Sequence, residues 1–153
     1  MTPLLPFVCE LGESPLWSVA EQCLYWVDIA GRRIHRCHPR TGVETSWRMP
    51  SEPGCIALSE GGGLVVALRD GFHRFDPDTL AVERLALAGN DVSRTRFNDG
   101  RCDAAGRFWA GTLDEPRERP IAQLWCLERG RLRPGPDGLY LCNGLAFSPD
   151  GAW

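Results

Sequence analysis

Four tight-turn sites, each just before an apolar strand-like run, divide this chain into units of similar length, and no other feature constrains the fold as strongly. Glu21-Gln22 precedes Leu24-Tyr25-Trp26-Val27, and Gly61-Gly62-Gly63 precedes Leu64-Val65-Val66. Ala105-Gly106 precedes Phe108-Trp109-Ala110, and Asp150-Gly151 precedes Trp153. With Gln22, Gly62, Gly106 and Gly151 taken as equivalents, the spacings are 40, 44 and 45 residues. A second series agrees with this register. His38-Pro39-Arg40-Thr41-Gly42 and Asp76-Pro77-Asp78-Thr79-Leu80 are Pro-containing turns 38 residues apart, each following a short strand, Arg33 to Cys37 and Gly71 to Phe75. A period of 40 to 45 residues with several short strands per unit is the signature of propeller blades.

The expected fold is therefore all-β, made of four-stranded antiparallel blades. Residues 1–153 read as one incomplete propeller domain, with blades near 13–50, 51–92 and 93–140 and the start of another at 141–153. Propellers close with about four to eight blades, and this length supplies about three and a half. Trp153 falls where a blade's second strand begins, so this stretch is expected to lack independent stability, with sheet faces left bare. Glycine and proline, 17 and 12 residues, leave little room for long helices. One segment competes with this reading. Leu16, Val19, Ala20, Cys23, Leu24 and Val27 recur at helical spacing. The turn-then-strand equivalence at Gly62 and Gly106 nevertheless assigns residues 16–27 to a hairpin, and Leu24 to Val27 is rich in β-favouring residues.

Charge and cysteine usage narrow the function classes. The 17 basic residues are all arginine, lie scattered and are outnumbered by 20 acidic ones, giving a net charge of −3. No stripe for tracking nucleic-acid phosphates results. Nor does any run approach the roughly 18 apolar residues of a membrane span, and Met1 to Phe7 lacks the basic and apolar regions of a secretory signal. Seven dispersed cysteines (Cys9, Cys23, Cys37, Cys55, Cys102, Cys126, Cys142) form no CxxC and are odd in number, which suits reduced thiols in a cytoplasmic protein.

The repeat also locates candidate ligands. A blade's innermost strand runs along the channel, so equivalent strand entries face one another around the axis. Counting back eight or nine residues from each turn reaches Glu13, Pro53, Asn98 and Asn143. One carboxylate and two amide oxygens suit Ca²⁺, Mg²⁺, Mn²⁺ or Zn²⁺. The same residues have a plainer reading, since Asn-Gly and Asp-Gly are common turn dipeptides and Glu13 before Ser14-Pro15 could cap a strand entry. Elsewhere, Gly12-Glu13-Ser14-Pro15-Leu16 lacks the second glycine of a nucleophile elbow. Gly61-Gly62-Gly63 lacks the lysine and helix of a phosphate loop. In His35-Arg36-Cys37-His38 only His35 and Cys37 share a strand face, which favours a structural role. The six tryptophans are expected between blades.

Five motifs, in order, carry a resemblance: Gly12-Glu13-Ser14-Pro15-Leu16-Trp17, Tyr25-Trp26-Val27-Asp28-Ile29, Arg96-Phe97-Asn98-Asp99-Gly100, Gly106 to Thr112 (GRFWAGT) and Asn143 to Gly151 (NGLAFSPDG). Together they resemble the family of senescence marker protein 30, or regucalcin, and bacterial gluconolactonases. The resemblance implies a six-bladed propeller that holds one divalent metal ion and hydrolyses sugar lactones to aldonic acids. It implies Glu13 and Asn143 as metal ligands, Asn98 at metal and substrate, Arg96 as a substrate contact and Glu115 as an acidic substrate contact. The family's aspartate ligand and base would lie beyond Trp153, so this stretch alone is expected to be inactive. A non-catalytic metal- or partner-binding propeller and a metal-dependent hydrolase of another ester remain the alternatives. Without the family, the residues favour reading Arg96 as a surface arginine paired with Asp91 or Asp99.

Overall fold

Antiparallel pairing organises the whole of the computed structural model, which describes residues 5, 6 and 8–151. The first sheet takes its strands in chain order, β1 (Gly12–Ser18), β2 (Cys23–Asp28), β3 (Arg33–His38) and β4 (Val43–Arg48). The second is β5 (Cys55–Leu58), β6 (Leu64–Leu68), β7 (Gly71–Phe75) and β8 (Val82–Leu87). The third is β9 (Thr95–Cys102), β10 (Phe108–Asp114), β11 (Leu124–Glu128) and β12 (Arg131–Pro134). No helix occurs among the described residues, so none is long and apolar enough to cross a membrane. Residues 16–27 form the β1–β2 hairpin, with Leu16 opposite Tyr25 and Ser18 opposite Cys23. Their helical spacing is overridden because alternate residues Cys23, Tyr25 and Val27 are the ones buried on the sheet's core face. Trp153 lies outside the described residues.

The repeat has a backbone basis. Gln22, Gly62, Gly106 and Gly151 all adopt left-handed conformations, with φ of 54°, 84°, 75° and 70°. Glycine reaches that region without steric cost, so three of the four turns carry it, and Gln22 is the costlier exception. The Pro-containing turns match in the same way. Gly42 and Leu80, at φ 69° and 63°, close them with N–H bonds to His38 O and Asp76 O, both 2.9 Å.

Each sheet alone has two faces, and the core forms where neighbouring faces meet. Between the first and second sheets lie Val27, Ile34, Met49, Ile56, Leu64, Val66 and Phe75. Between the second and third lie Cys55, Ala67, Phe72, Phe97, Phe108 and Ala110. Phe72 meets Phe97 and Phe108 edge to face, at 5.3 and 5.6 Å between centroids. The inner strands β1, β5 and β9 touch in succession, as expected of consecutive propeller blades. The tryptophans divide their roles rather than all packing between sheets. Trp47 contacts Phe75 across the first interface, and Trp125 packs against the second. Trp26 instead stacks on His35 of its own sheet, and Trp17 is 43% exposed.

Candidate functional site

β1 near its start and β9 near its middle, rather than at its entry, share a local irregularity. In β1 the pairing with β2 shifts between Glu13 and Leu16, and Ser14 within the bulge has φ 53°. In β9 the shift falls opposite Ala110 to Thr112, leaving Asn98 and Asp99 outside the regular ladder. A bulge re-aims side chains that a flat ladder would alternate between faces. Ser14 Oγ also accepts the Ile56 N–H at 3.2 Å, joining β1 to β5 at the bulge.

Asn98 and Asn143 are brought together through the backbone between them. Cys142 donates its N–H to Thr112 O at 3.0 Å, and its carbonyl accepts Asn98 Nδ2, also at 3.0 Å. This passage needs Gly111, where a Cβ would collide with Cys142. Since Asn98 gives its Nδ2 to that carbonyl, its Oδ1 faces the other way and accepts Arg96 Nη1 at 3.1 Å. Asn143 Oδ1 accepts the Gly144 N–H at 3.1 Å. Each amide oxygen keeps a second lone pair. Glu13 is exposed, and its carboxylate makes no ion pair or hydrogen bond among the described residues.

Asp99 links these positions and was not singled out as a ligand or contact by the sequence. Its Oδ2 accepts the N–H groups of Gly144 at 2.8 Å and Leu145 at 3.2 Å, while Oδ1 takes Gly100 N–H at 2.7 Å. It lines a cleft of about 530 Å³ with Glu13, Leu16 and Ile56, and another of about 380 Å³ with Asn143 and Leu145. Its signal was present in Asn98-Asp99-Gly100, where only a fold could show that the carboxylate caps a segment 45 residues away. A larger cleft of about 940 Å³ opens beside Arg32, Arg69 and His73 and contains none of the candidate residues.

Arg96 is half-buried and sits in a charged network. Its Nη1 also donates to Phe97 O at 2.9 Å, and its Nε lies 4.0 Å from Glu115 Oε1. Burial lowers its pKa from the usual arginine value despite the Glu115 charge. The alternative pairing of Arg96 with Asp91 or Asp99 is not the one formed. Asp91 instead binds Ser93, and Asp99 holds the 144–145 backbone. Glu115 is gripped by Arg69, whose Nη1 and Nη2 reach its two oxygens at 2.9 and 3.0 Å. Arg69 Nε binds Glu52 Oε2 at 2.8 Å, and Arg32 reaches Glu52 Oε1 at 2.9 Å. Glu115 chiefly raises the Arg69 pKa, and Glu52 adds to it. Nothing in one sequence marks Arg69 and Glu52, which meet Glu115 only through the fold.

Thiols near this region are poor nucleophiles. Burial pushes the Cys55 pKa well up, with Asp99 adding to it, and burial raises Cys142 as well. All seven cysteines are free. What remains is a set of oxygen donors with a guanidinium beside them. Such donors suit a hard or borderline divalent cation better than a soft one.

The profile of the SMP-30/gluconolactonase/LRE-like region matches residues 11–153. The chain belongs to this family. It is 48% identical over 146 residues to 6-deoxy-6-sulfogluconolactonase of Pseudomonas putida, covering 94% of this chain and 50% of that protein. It is 36% identical over 151 residues to L-arabinolactonase of Azospirillum brasilense, covering 93% and 49%. Among solved structures, a calcium-binding protein, regucalcin, from Agrobacterium tumefaciens superposes with a TM-score of 0.91 at 26% identity, over 97% of this chain and 50% of that one. The chain spans about half the length of the curated relatives it matches.

Proposed function

We propose that the protein containing this chain is a divalent-metal-dependent sugar lactone hydrolase acting in the cytoplasm, converting a lactone to its aldonic acid. The reading rests on one observation above others: Asp99 lines a cleft with Glu13 and a second with Asn143, while Asn98 bonds the residue before Asn143. Family membership and the named lactonases among its relatives support the same chemistry. Glu13, Asn98 and Asn143 would hold the ion, completed by ligands from the rest of a six-bladed propeller of which this chain would form the first three and a half blades.

Bound there, a divalent ion supplies Lewis-acid polarisation of the lactone carbonyl and acidifies attacking water. Glu13 contributes the negative charge that offsets the cation. Asn98 and Asn143 would contribute neutral oxygens, which hold the cation without offsetting more of its charge. Arg96, beside Asn98, would direct donors at the sugar's hydroxyls. Glu115 would accept from a hydroxyl while Arg69 fixes its position. Asp99 keeps Asn143 in place through the Gly144 and Leu145 N–H groups.

Turnover of glucono-, L-arabinono- and 6-deoxy-6-sulfogluconolactone, beside a phosphotriester, tests the reading. We expect ring opening of at least one lactone, lost on chelation and restored by Ca²⁺, Zn²⁺, Mg²⁺ or Mn²⁺. Metal binding without lactone turnover would favour a non-catalytic propeller, and preferred phosphotriester cleavage would favour another ester hydrolase.

A further inference from the structure

We propose that Cys9, Asp28 and His35 form a second cation site, for a zinc-type divalent ion, on the first sheet and separate from Glu13, Asn98 and Asn143. One sulfur, one carboxylate oxygen and one imidazole nitrogen, taken from the segment before β1, the end of β2 and the middle of β3, lie within 4.8 Å of one another. An ion centred among three such atoms sits about 2.8 Å from each at most. Closing to the roughly 2.0–2.3 Å of zinc sites needs about 0.5–0.8 Å of adjustment per ligand, least for the sulfur. Mixed sulfur, nitrogen and oxygen donors with an open fourth position are characteristic of zinc chemistry.

The surroundings fix all three ligands in place. Glu44 Oε1 contacts His35 Nδ1 at 2.8 Å, so Nε2 is the nitrogen that would ligate, with a carboxylate behind the ring as in many zinc sites. The His35 ring is buried and stacks on Trp26 at 5.0 Å. Asp28 accepts the Leu11 and Gly31 N–H groups on Oδ1, at 2.9 and 3.0 Å, and the Glu10 N–H on Oδ2 at 3.0 Å. A carboxylate offers about four acceptor positions, so Oδ2 retains one for an ion. Gly31 makes room, because a Cβ there would stand 2.5 Å from Asp28 Oδ2. Trp26 Nε1 donates to Cys9 Sγ at 3.3 Å, a contact that persists when the sulfur is a coordinated thiolate. Cys9 is partly exposed and gives the ion a route from solvent.

Cobalt(II) added to the intact protein tests this assignment, because a cobalt–thiolate bond gives a near-ultraviolet charge-transfer band that an all-oxygen site cannot give. We expect the band at one equivalent and its displacement by Zn²⁺. It should vanish in Cys9→Ser and survive in Glu13→Gln. Glu44→Gln should keep the band and weaken cobalt affinity about 10- to 100-fold. No band in folded wild-type protein, or a band undiminished in Cys9→Ser, would overturn the site and leave these residues only the task of pinning the segment before β1 to its sheet. Circular dichroism checks that each variant is folded, and Cys9→Ser decides the matter even if Glu44→Gln unfolds.

Discussion

Asp99 shows what a single carboxylate does when the fold places it between two segments. Two of its hydrogen bonds reach Gly144 and Leu145, and each bond to a charged acceptor contributes about 1.5–3 kcal/mol. Asp99→Ala should therefore weaken divalent-metal affinity about tenfold or more by releasing Asn143, while Asp99→Asn, which keeps an acceptor, should recover part of it. Isothermal titration of both variants with Ca²⁺ checks this, and equal losses would contradict a positioning role. Glu13, Asn98 and Asn143 could be proposed from the sequence because they recur at one repeat position. Asp99 could not, because its partners lie 45 and 46 residues away and no local pattern links them. Glu115 was legible only as an acidic residue after Gly111-Thr112; its grip by Arg69 depends on strands from different sheets.

At the scale of the element, the turns carried most of the information. Glycine at Gly62, Gly106 and Gly151 announces left-handed backbone, whereas Gln22 adopts the same conformation without any composition signal and is recognisable only through its place in the series. The hairpin at residues 16–27 shows the reverse case, a helical spacing defeated by pairing with the next strand and by burial on alternate residues. The bulges at Ser14 and Asn98 escaped sequence analysis since the ladder they interrupt is visible only once paired. Interfaces between sheets should hold the elements in place. Phe72→Ala removes a fully buried ring that contacts Phe97 and Phe108, and should cost about 3–5 kcal/mol in urea unfolding. A cost near that of an exposed Leu87→Ala would contradict the shared core.

For the whole molecule, buried carboxylates set the acid limit of stability. Burial alone would raise Asp28, but the N–H groups of Leu11, Gly31 and Glu10 outweigh it and hold its pKa below the usual aspartate value. Burial likewise opposes ionisation of Asp114, and the Arg119 N–H, Arg94 and the Glu118 N–H prevail in lowering its pKa. A group with a depressed folded-state pKa stabilises the fold above its unfolded value, near about 3.9, and loses that contribution as pH falls through the folded value. Thermal melts should therefore show Asp114→Asn lowering Tm at pH 7 and converging on wild type near pH 2. A constant difference across that range would contradict the assignment.

Glu13 is proposed as the charged ligand this chain would supply to a metal on which lactone hydrolysis would depend. This role is tested most directly by measuring metal affinity and lactone turnover together in Glu13→Gln, a change that keeps size and polarity while removing the charge. Both should fall at least about tenfold, the scale on which one lost charged interaction of about 1.4 kcal/mol registers, with the wild-type circular dichroism spectrum retained. Undiminished metal-dependent turnover in Glu13→Gln would contradict it.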